Sequence, residues 1–260
     1  MRQHQRWANS GSLRGRTRVA LALSSAAVLV VGTACGGESA TPTEESTAEA
    51  SATSTSSTPP PPPTPAPVAA AKLPELLPSL EELKTIMDNP QLIEGPNSTG
   101  VAVPDPSQQV YEPENCASSF SGGAPPAYEG TGYRKFHGAS QVQSPTPSLM
   151  LGESVVTFDS AAAAQRALAN YVEQWRRCAN KQFVWKMITQ GQQAAFTLGE
   201  PVDAGGGVTS LRNVNDNSPV TVTRAIAAKN NVLVDVQIMG SNLAEQNVTI
   251  ANRILEKIPN

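Results

Sequence analysis

Alternation of apolar and polar residues is clearest near the end of the chain, where Val232, Val234, Val236 and Ile238 occupy every second position. Period-two spacing predicts a strand with one buried face, and places Asp235 on the polar, solvated side. The preceding run Val220–Ala227 is also rich in β-branched residues, and Lys229-Asn230-Asn231 between them is a turn sequence, so the pair is expected to form an antiparallel hairpin. Earlier strands are expected at Leu149–Phe158, Phe183–Ile188 and Val208–Asn213, the last closed by the turn Asn215-Asp216-Asn217. The spacing changes to three and four residues in Leu168, Tyr171, Val172, Trp175 and Cys178. That is one apolar stripe on a helix running from Ala161 to about Ala179, capped by Asp159-Ser160 and with Trp175 in the core. A terminal helix, about Asn242–Lys257, turns Leu243, Ala251, Ile254, Leu255 and Ile258 inward. A short first helix follows the capping box Ser79-Leu80-Glu81-Glu82 and ends near Asn89-Pro90. Residues 94–132, rich in Gly, Pro and Ser, read as long loops around Cys116. Strands joined by short turns and flanked by helices predict an α+β fold, a mainly antiparallel sheet packed with helices in a single domain at residues 73–260.

A different pattern precedes that domain. Arg2, Arg6, Arg14, Arg16 and Arg18 lead into the apolar run Val19–Val31, which ends at Gly32-Thr33-Ala34-Cys35. A basic segment, a short apolar segment and small residues predict an export signal over residues 1–34. The run is too short for a comfortable membrane span. A cysteine directly after the small residues predicts lipidation at Cys35, although Gly32 stands where a branched aliphatic is usual. An ordinary cleaved signal with an incidental cysteine is the alternative. Residues 35–72 hold Glu38, Glu44, Glu45 and Glu49 among Ser, Thr and Ala, then the prolines 59–63, 65 and 67. Such a segment buries too little apolar surface to offset its ordering entropy, and is expected to act as a disordered stalk, stiffened by polyproline II.

Composition narrows the function. Removing the five arginines takes Lys+Arg from 19 to 14 against 22 Asp+Glu, moving the net charge from −3 to −8. An acidic chain offers no electrostatic footprint for nucleic acid and no basic strip for anionic lipid; membrane attachment would come through the anchor at Cys35. Cys116 and Cys178 then remain, an even number that suits a disulfide in an oxidising space, with two free thiols as the alternative. With a single remaining imidazole, His137, a zinc or haem site is not expected, nor any other cofactor.

The domain resembles the PknH-like extracellular sensor domain of actinobacteria over about residues 73–258. The resemblance is carried by Leu76-Leu77-Pro78-Ser79-Leu80-Glu81-Glu82-Leu83 with Ile86-Met87, by Cys116, by Val155-Val156-Thr157-Phe158-Asp159-Ser160-Ala161, and by Tyr171-Val172-Glu173-Gln174-Trp175-Arg176-Arg177-Cys178. In that family the domain occurs outside serine/threonine kinases and alone on mycobacterial lipoproteins. This chain shows no Gly-rich loop or His-Arg-Asp word and looks like the second kind. The resemblance implies a cup-shaped domain whose cleft binds a ligand and reports it, with Cys116 and Cys178 as a structural bridge. Kinase-linked members look to have two disulfides; this chain can form one.

Site chemistry is otherwise sparse. Tyr128, Tyr133 and Trp185 are the aromatic candidates for a ligand cleft. His137 could serve a cell-wall hydrolase as general base, but no Gly-x-Ser-x-Gly elbow supplies a serine partner. Gly205-Gly206-Gly207 precedes a strand rather than a helix and reads as a flexible loop beside the cleft, not a phosphate cradle. The expected function is therefore a non-catalytic, lipid-anchored envelope protein facing the periplasm or cell wall. Its partner would be a small molecule, a glycan or lipid fragment, or an envelope protein. A structural spacer is the remaining alternative.

Overall fold

A computed structural model describes residues 65–260. The export signal, Cys35 and all but the end of the stalk lie outside the described residues. The described part opens with a 3-10 turn (Ala70–Lys72) and two short helices, α1 (Leu73–Leu76) and α2 (Leu80–Ile86), followed by strands β1 (Leu92–Glu94) and β2 (Gln109–Glu112). The one-turn helices α3 (Ala117–Phe120) and α4 (Pro125–Tyr128) come next. Strands β3 (Lys135–Gln143) and β4 (Met150–Thr157) lead into the long helix α5 (Ala161–Cys178). Then come β5 (Gln182–Met187), β6 (Gln192–Thr197), β7 (Val202–Asp203), β8 (Thr209–Asn215), β9 (Val220–Lys229), β10 (Val232–Ser241) and α6 (Gln246–Lys257).

All ten strands join one antiparallel sheet in the order β1-β3-β4-β10-β9-β8-β6-β5-β2, with the short β7 also paired to β8. Helices pack on both of its faces. One carries α1, α2 and α6, which bury Leu73, Leu83, Ile250 and Ile254 against Val155, Val234, Val236 and Ile238. The other carries α5, which buries Tyr171 and Trp175 against Val156, Ile226 and Leu233. The second face corrects the reading of β10: its alternation does not separate core from solvent, because Leu233 and Asp235 are also buried, beneath α5.

Local signals that need only neighbouring residues behave as expected. Ser79 and Glu82 form a reciprocal capping box on α2, with the Ser79 N–H donating to Glu82 Oε2 at 2.9 Å. Ser160 caps α5, its Oγ accepting from Ala163 N–H at 3.2 Å. The hairpin turn is present, with Asn230 at φ 51°. The terminal helix starts later than its apolar spacing suggests, at Gln246, because Asn242 adopts a left-handed φ of 58° that interrupts it.

Five strands, β1, β2, β3, β6 and β7, escape the pattern. β1 is only three residues long; β6 (Gln-Gln-Ala-Ala-Phe-Thr) and β3 (Lys-Phe-His-Gly-Ala-Ser-Gln-Val-Gln) are poor in β-branched residues. The expected long loops at 94–132 contain β1's last residue, β2, α3 and α4. The folded part also begins before residue 73. Val68 N–H donates to Asn231 Oδ1 at 2.7 Å, Asn231 Nδ2 returns a bond to Val68 O at 3.2 Å, and Asn230 Nδ2 reaches Ala66 O at 3.0 Å. The end of the expected stalk is thus clamped to the β9–β10 turn.

Candidate functional site

A cleft of about 230 Å³ opens on the α5 side of the sheet, over β3, β4 and β10. Its floor is built from small or short side chains, Gly138 and Ser140 on β3, Gly152 and Ser154 on β4, with Gln237 on β10. Register puts Ser140, Gly152 and Gln237 in one row across the three strands. A Cβ at Gly152 would meet nothing within 4 Å, so the cleft is open above it. The residues that make β3 a weak strand signal are those that keep the floor low.

The roof comes from two loops. Residues 95–98 run beside β3, where Ser98 and Gly138 exchange backbone bonds of 2.8 Å in both directions. Ala102 N–H then donates to Gly123 O at 2.9 Å, which ties this segment to the loop between α3 and α4. That second loop is pinned to the sheet by its own amides: Gly122 N–H to Gln237 Oε1 at 2.7 Å, and Gly123 N–H to Asp235 Oδ2 at 3.1 Å. Gly123 has φ 67°, and a Cβ there would come within 3.1 Å of the Phe136 ring, so the turn calls for glycine.

Behind the cleft lies a buried ion pair that the strand pattern concealed. Arg224 Nη2 contacts Asp235 Oδ1, both side chains being fully buried. Asp235 Oδ2 also accepts from Tyr171 OH at 2.9 Å and Tyr128 OH at 3.1 Å. Arg224 donates to Tyr171 OH at 2.9 Å and to Ser118 O at 2.7 Å, and its guanidinium lies 5.4 Å from the Trp175 ring centroid. Burial works against the Arg224 charge, but Asp235 and Tyr171 outweigh it and hold the guanidinium protonated, above its ordinary range. Burial, reinforced by Asp235, pushes the phenol of Tyr128 far up, so it remains a donor. With each carboxylate oxygen engaged, Asp235 reaches the cleft as a neutralised group, not the solvated carboxylate its strand position predicts.

The disulfide between Cys116 and Cys178 is formed; 62 positions apart, the two cysteines join the start of α3 to the end of α5. It therefore holds the base of the roof against the helix that covers the ion pair.

The three aromatic candidates do not line this cleft. Tyr128 is a core residue, 3 % exposed, its ring edge-on to Phe136 and Tyr171. Tyr133 packs on Tyr128 with centroids 5.9 Å apart. Trp185 lies on β5 near the opposite sheet edge, where its Nε1 donates to Gln109 Oε1 at 3.0 Å and its ring packs on Phe120. Aromatic identity predicted burial here rather than an open wall. The Gly205–Gly207 turn is also displaced from the cleft: it joins β7 to β8 beside Asn252 of α6, on the other side of the sheet. His137 is half-buried on β3, and its odd-numbered position places it on the sheet face opposite the cleft. Burial and then Lys135 lower its pKa. Among the described residues no hydrogen bond joins His137 to a serine hydroxyl or a carboxylate, and no three His, Cys, Asp or Glu side chains are grouped as metal ligands.

On the same face as His137, but enclosed, is Glu153, 2 % exposed, with neither carboxyl oxygen hydrogen-bonded. Leu151 and Val155 flank it along β4, and Ala139 and Val236 oppose it. Burial raises its pKa to about 8. Its alternating apolar neighbours marked this position as core, whereas its own charge gave no sign of it.

Residues 68–257 match the PknH-like extracellular domain family. The serine/threonine-protein kinases PknJ of Mycobacterium bovis and Mycobacterium tuberculosis are each 34 % identical over 205 residues, covering 74 % of this chain and 33 % of the kinase. PknH of Mycobacterium tuberculosis is 24 % identical over 192 residues, covering 74 % of this chain and 30 % of the kinase. The chain thus spans about a third of the length of the curated relatives it matches. The crystal structure of the extracellular domain of PknH from Mycobacterium tuberculosis superposes with a TM-score of 0.67 at 22 % identity, over 74 % of this chain and 97 % of that one, and so shares its fold. No helix among the described residues is long and apolar enough to cross a membrane.

Proposed function

Since the chain belongs to the PknH-like extracellular domain family, we propose that it is a lipid-anchored envelope protein whose domain captures a small ligand in the β3–β4–β10 cleft without transforming it. The observation that carries this reading is the construction of the cleft. Glycines and serines keep its floor open, and a roof tied to Gln237 and Asp235 holds it in shape. Pre-formed concavities lined by a few polar groups are characteristic of ligand sites. Binding without turnover is supported by the position of His137 on the opposite face, away from any nucleophile in the cleft. The anchor is supported by the arginines and apolar run before Cys35. Replacing Cys35 by Ser should release the protein from the membrane fraction; retention would remove the lipid from the account.

Native mass spectrometry of the protein purified from an oxidising compartment tests the cleft. A co-purifying mass should accompany the wild type, disappear on denaturation, and be missing from Gly152→Trp, whose side chain would fill the open space above β4. The same mass on a folded Gly152→Trp protein would place the ligand elsewhere.

A further inference from the structure

Beyond its polar floor the cleft runs on to a row of apolar side chains, open at β1, β3 and β4 and bounded at β10, where Met239 packs against the cluster of Phe120 and Phe183. One step along each strand, on the same face, Ile93 of β1, Val142 of β3, Met150 of β4 and Met239 of β10 stand opposite one another by register. Ile93 and Met150 are 46 % and 45 % exposed, and Val142 and Met239 are partly so. Four neighbouring strands place this row over roughly 14 Å at the usual spacing. It directly adjoins the row Ser140, Gly152 and Gln237, so apolar shelf and polar cleft form one continuous surface. A contiguous exposed apolar strip beside a formed cleft is unusual on a water-facing domain and marks a binding surface. Its two methionines adapt to irregular chains.

The head of the ligand is defined by charge. No Lys or Arg lines the cleft. Asp235 is neutralised by Arg224, and Glu153 directs its side chain to the far face of the sheet. What remains for recognition is neutral: the Ser98 hydroxyl, the Ser140 oxygen as an acceptor (its proton is given to Pro96 O at 2.9 Å), and the amide of Gln237, whose oxygen is already held by Gly122. An anionic head would lose its hydration without a cation to replace it.

We infer that the site takes an amphiphile, with an uncharged hydroxylated head such as a sugar in the cleft and one alkyl chain along Met150, Val142 and Ile93. This rests on the cleft reading above. Titration of the full chain with decyl β-glucoside below its micellar concentration, beside glucose and decyl sulfate, tests it. Decyl glucoside should saturate one site, with the other two weaker by about tenfold or more, a factor within reach of one buried alkyl group. Met150→Glu, a surface change, should weaken it by about tenfold, and Val202→Glu, at an exposed apolar residue of β7, should not. Equal binding of decyl sulfate would overturn the neutral head. Equal binding of glucose, or indifference to Met150→Glu, would overturn the alkyl shelf and leave the cleft standing as long as Gly152→Trp blocks the site. Unchanged binding to a folded Gly152→Trp protein would overturn the cleft itself.

Discussion

Replacing Glu153 by glutamine should stabilise the protein at neutral pH and remove much of its pH dependence. The carboxyl is buried among Leu151, Val155, Ala139 and Val236, with no hydrogen bond to either oxygen. Its pKa rises from 4.5 to about 8 in the folded protein. Between those values the folded state holds a proton that the unfolded chain has released, so stability falls as pH rises through this window and levels off above it. At pH 7 the deficit is about 3 kcal/mol relative to the protonated carboxyl, and the change between pH 5 and 7 about 2 kcal/mol. Glutamine matches the shape of the neutral acid and cannot ionise. His137, with its lowered pKa, works in the opposite direction over the same range, so the comparison of wild type with variant isolates Glu153. Urea unfolding followed by tryptophan fluorescence at pH 5, 6 and 7 supplies the assay. Parallel pH profiles for the two proteins would refute the reasoning, as would a variant less stable than wild type at pH 7.

Arg224→Met should cost about 3–5 kcal/mol, because it strands the buried Asp235 charge; denaturant midpoints at constant slope would measure this, and a loss under about 1 kcal/mol would show that the pair is not enclosed. Reduction of Cys116–Cys178 releases a loop spanning 62 positions and should lower stability by about 4 kcal/mol, measured by unfolding with and without reductant. Ser79→Ala should cost about 1 kcal/mol through loss of the α2 cap. The backbone bond from Ser79, helped by Arg253, holds the pKa of Glu82 down at about 2, so this contribution is present above pH 4.5 and declines as pH falls toward 2. Acid titration of unfolding should therefore show a smaller loss in Glu82→Gln, which removes the titrating carboxyl and leaves the Ser79 N–H donor in place, than in wild type over that range.

Legibility in the sequence followed the range of the interaction. Ser79 and Ser160 cap their helices through bonds spanning three residues, and the β9–β10 turn depends on the tolerance of Asn230 for left-handed backbone; each can be read from adjacent letters. The stripe of α5 was equally readable, because helical geometry alone gathers Tyr171, Trp175 and Cys178 on one face. The α+β class and the use of Cys116 and Cys178 followed from the same kind of reasoning and from the family resemblance. β3 was missed because Gly138, Ala139 and Ser140 contribute little strand propensity; their smallness suits the space above them, not the ladder they join.

Charge and aromatic identity, in contrast, have no local meaning in this chain. Asp235 occupies the polar phase of its strand, and only the packing of α5 over that face converts it from a solvated carboxylate to one held by Arg224, Tyr128 and Tyr171. Tyr128 and Trp185, both plausible cleft walls by residue type, are drawn into separate clusters by elements far apart in the chain. The sequence by itself determined the caps of α2 and α5, the apolar stripe of α5 and the β9–β10 hairpin, because those properties depend on neighbours within about one turn. Which polar groups are enclosed, and where the sheet is left open to a ligand, was decided only when residues more than a hundred positions apart, such as Gly122 and Gln237, met across the fold.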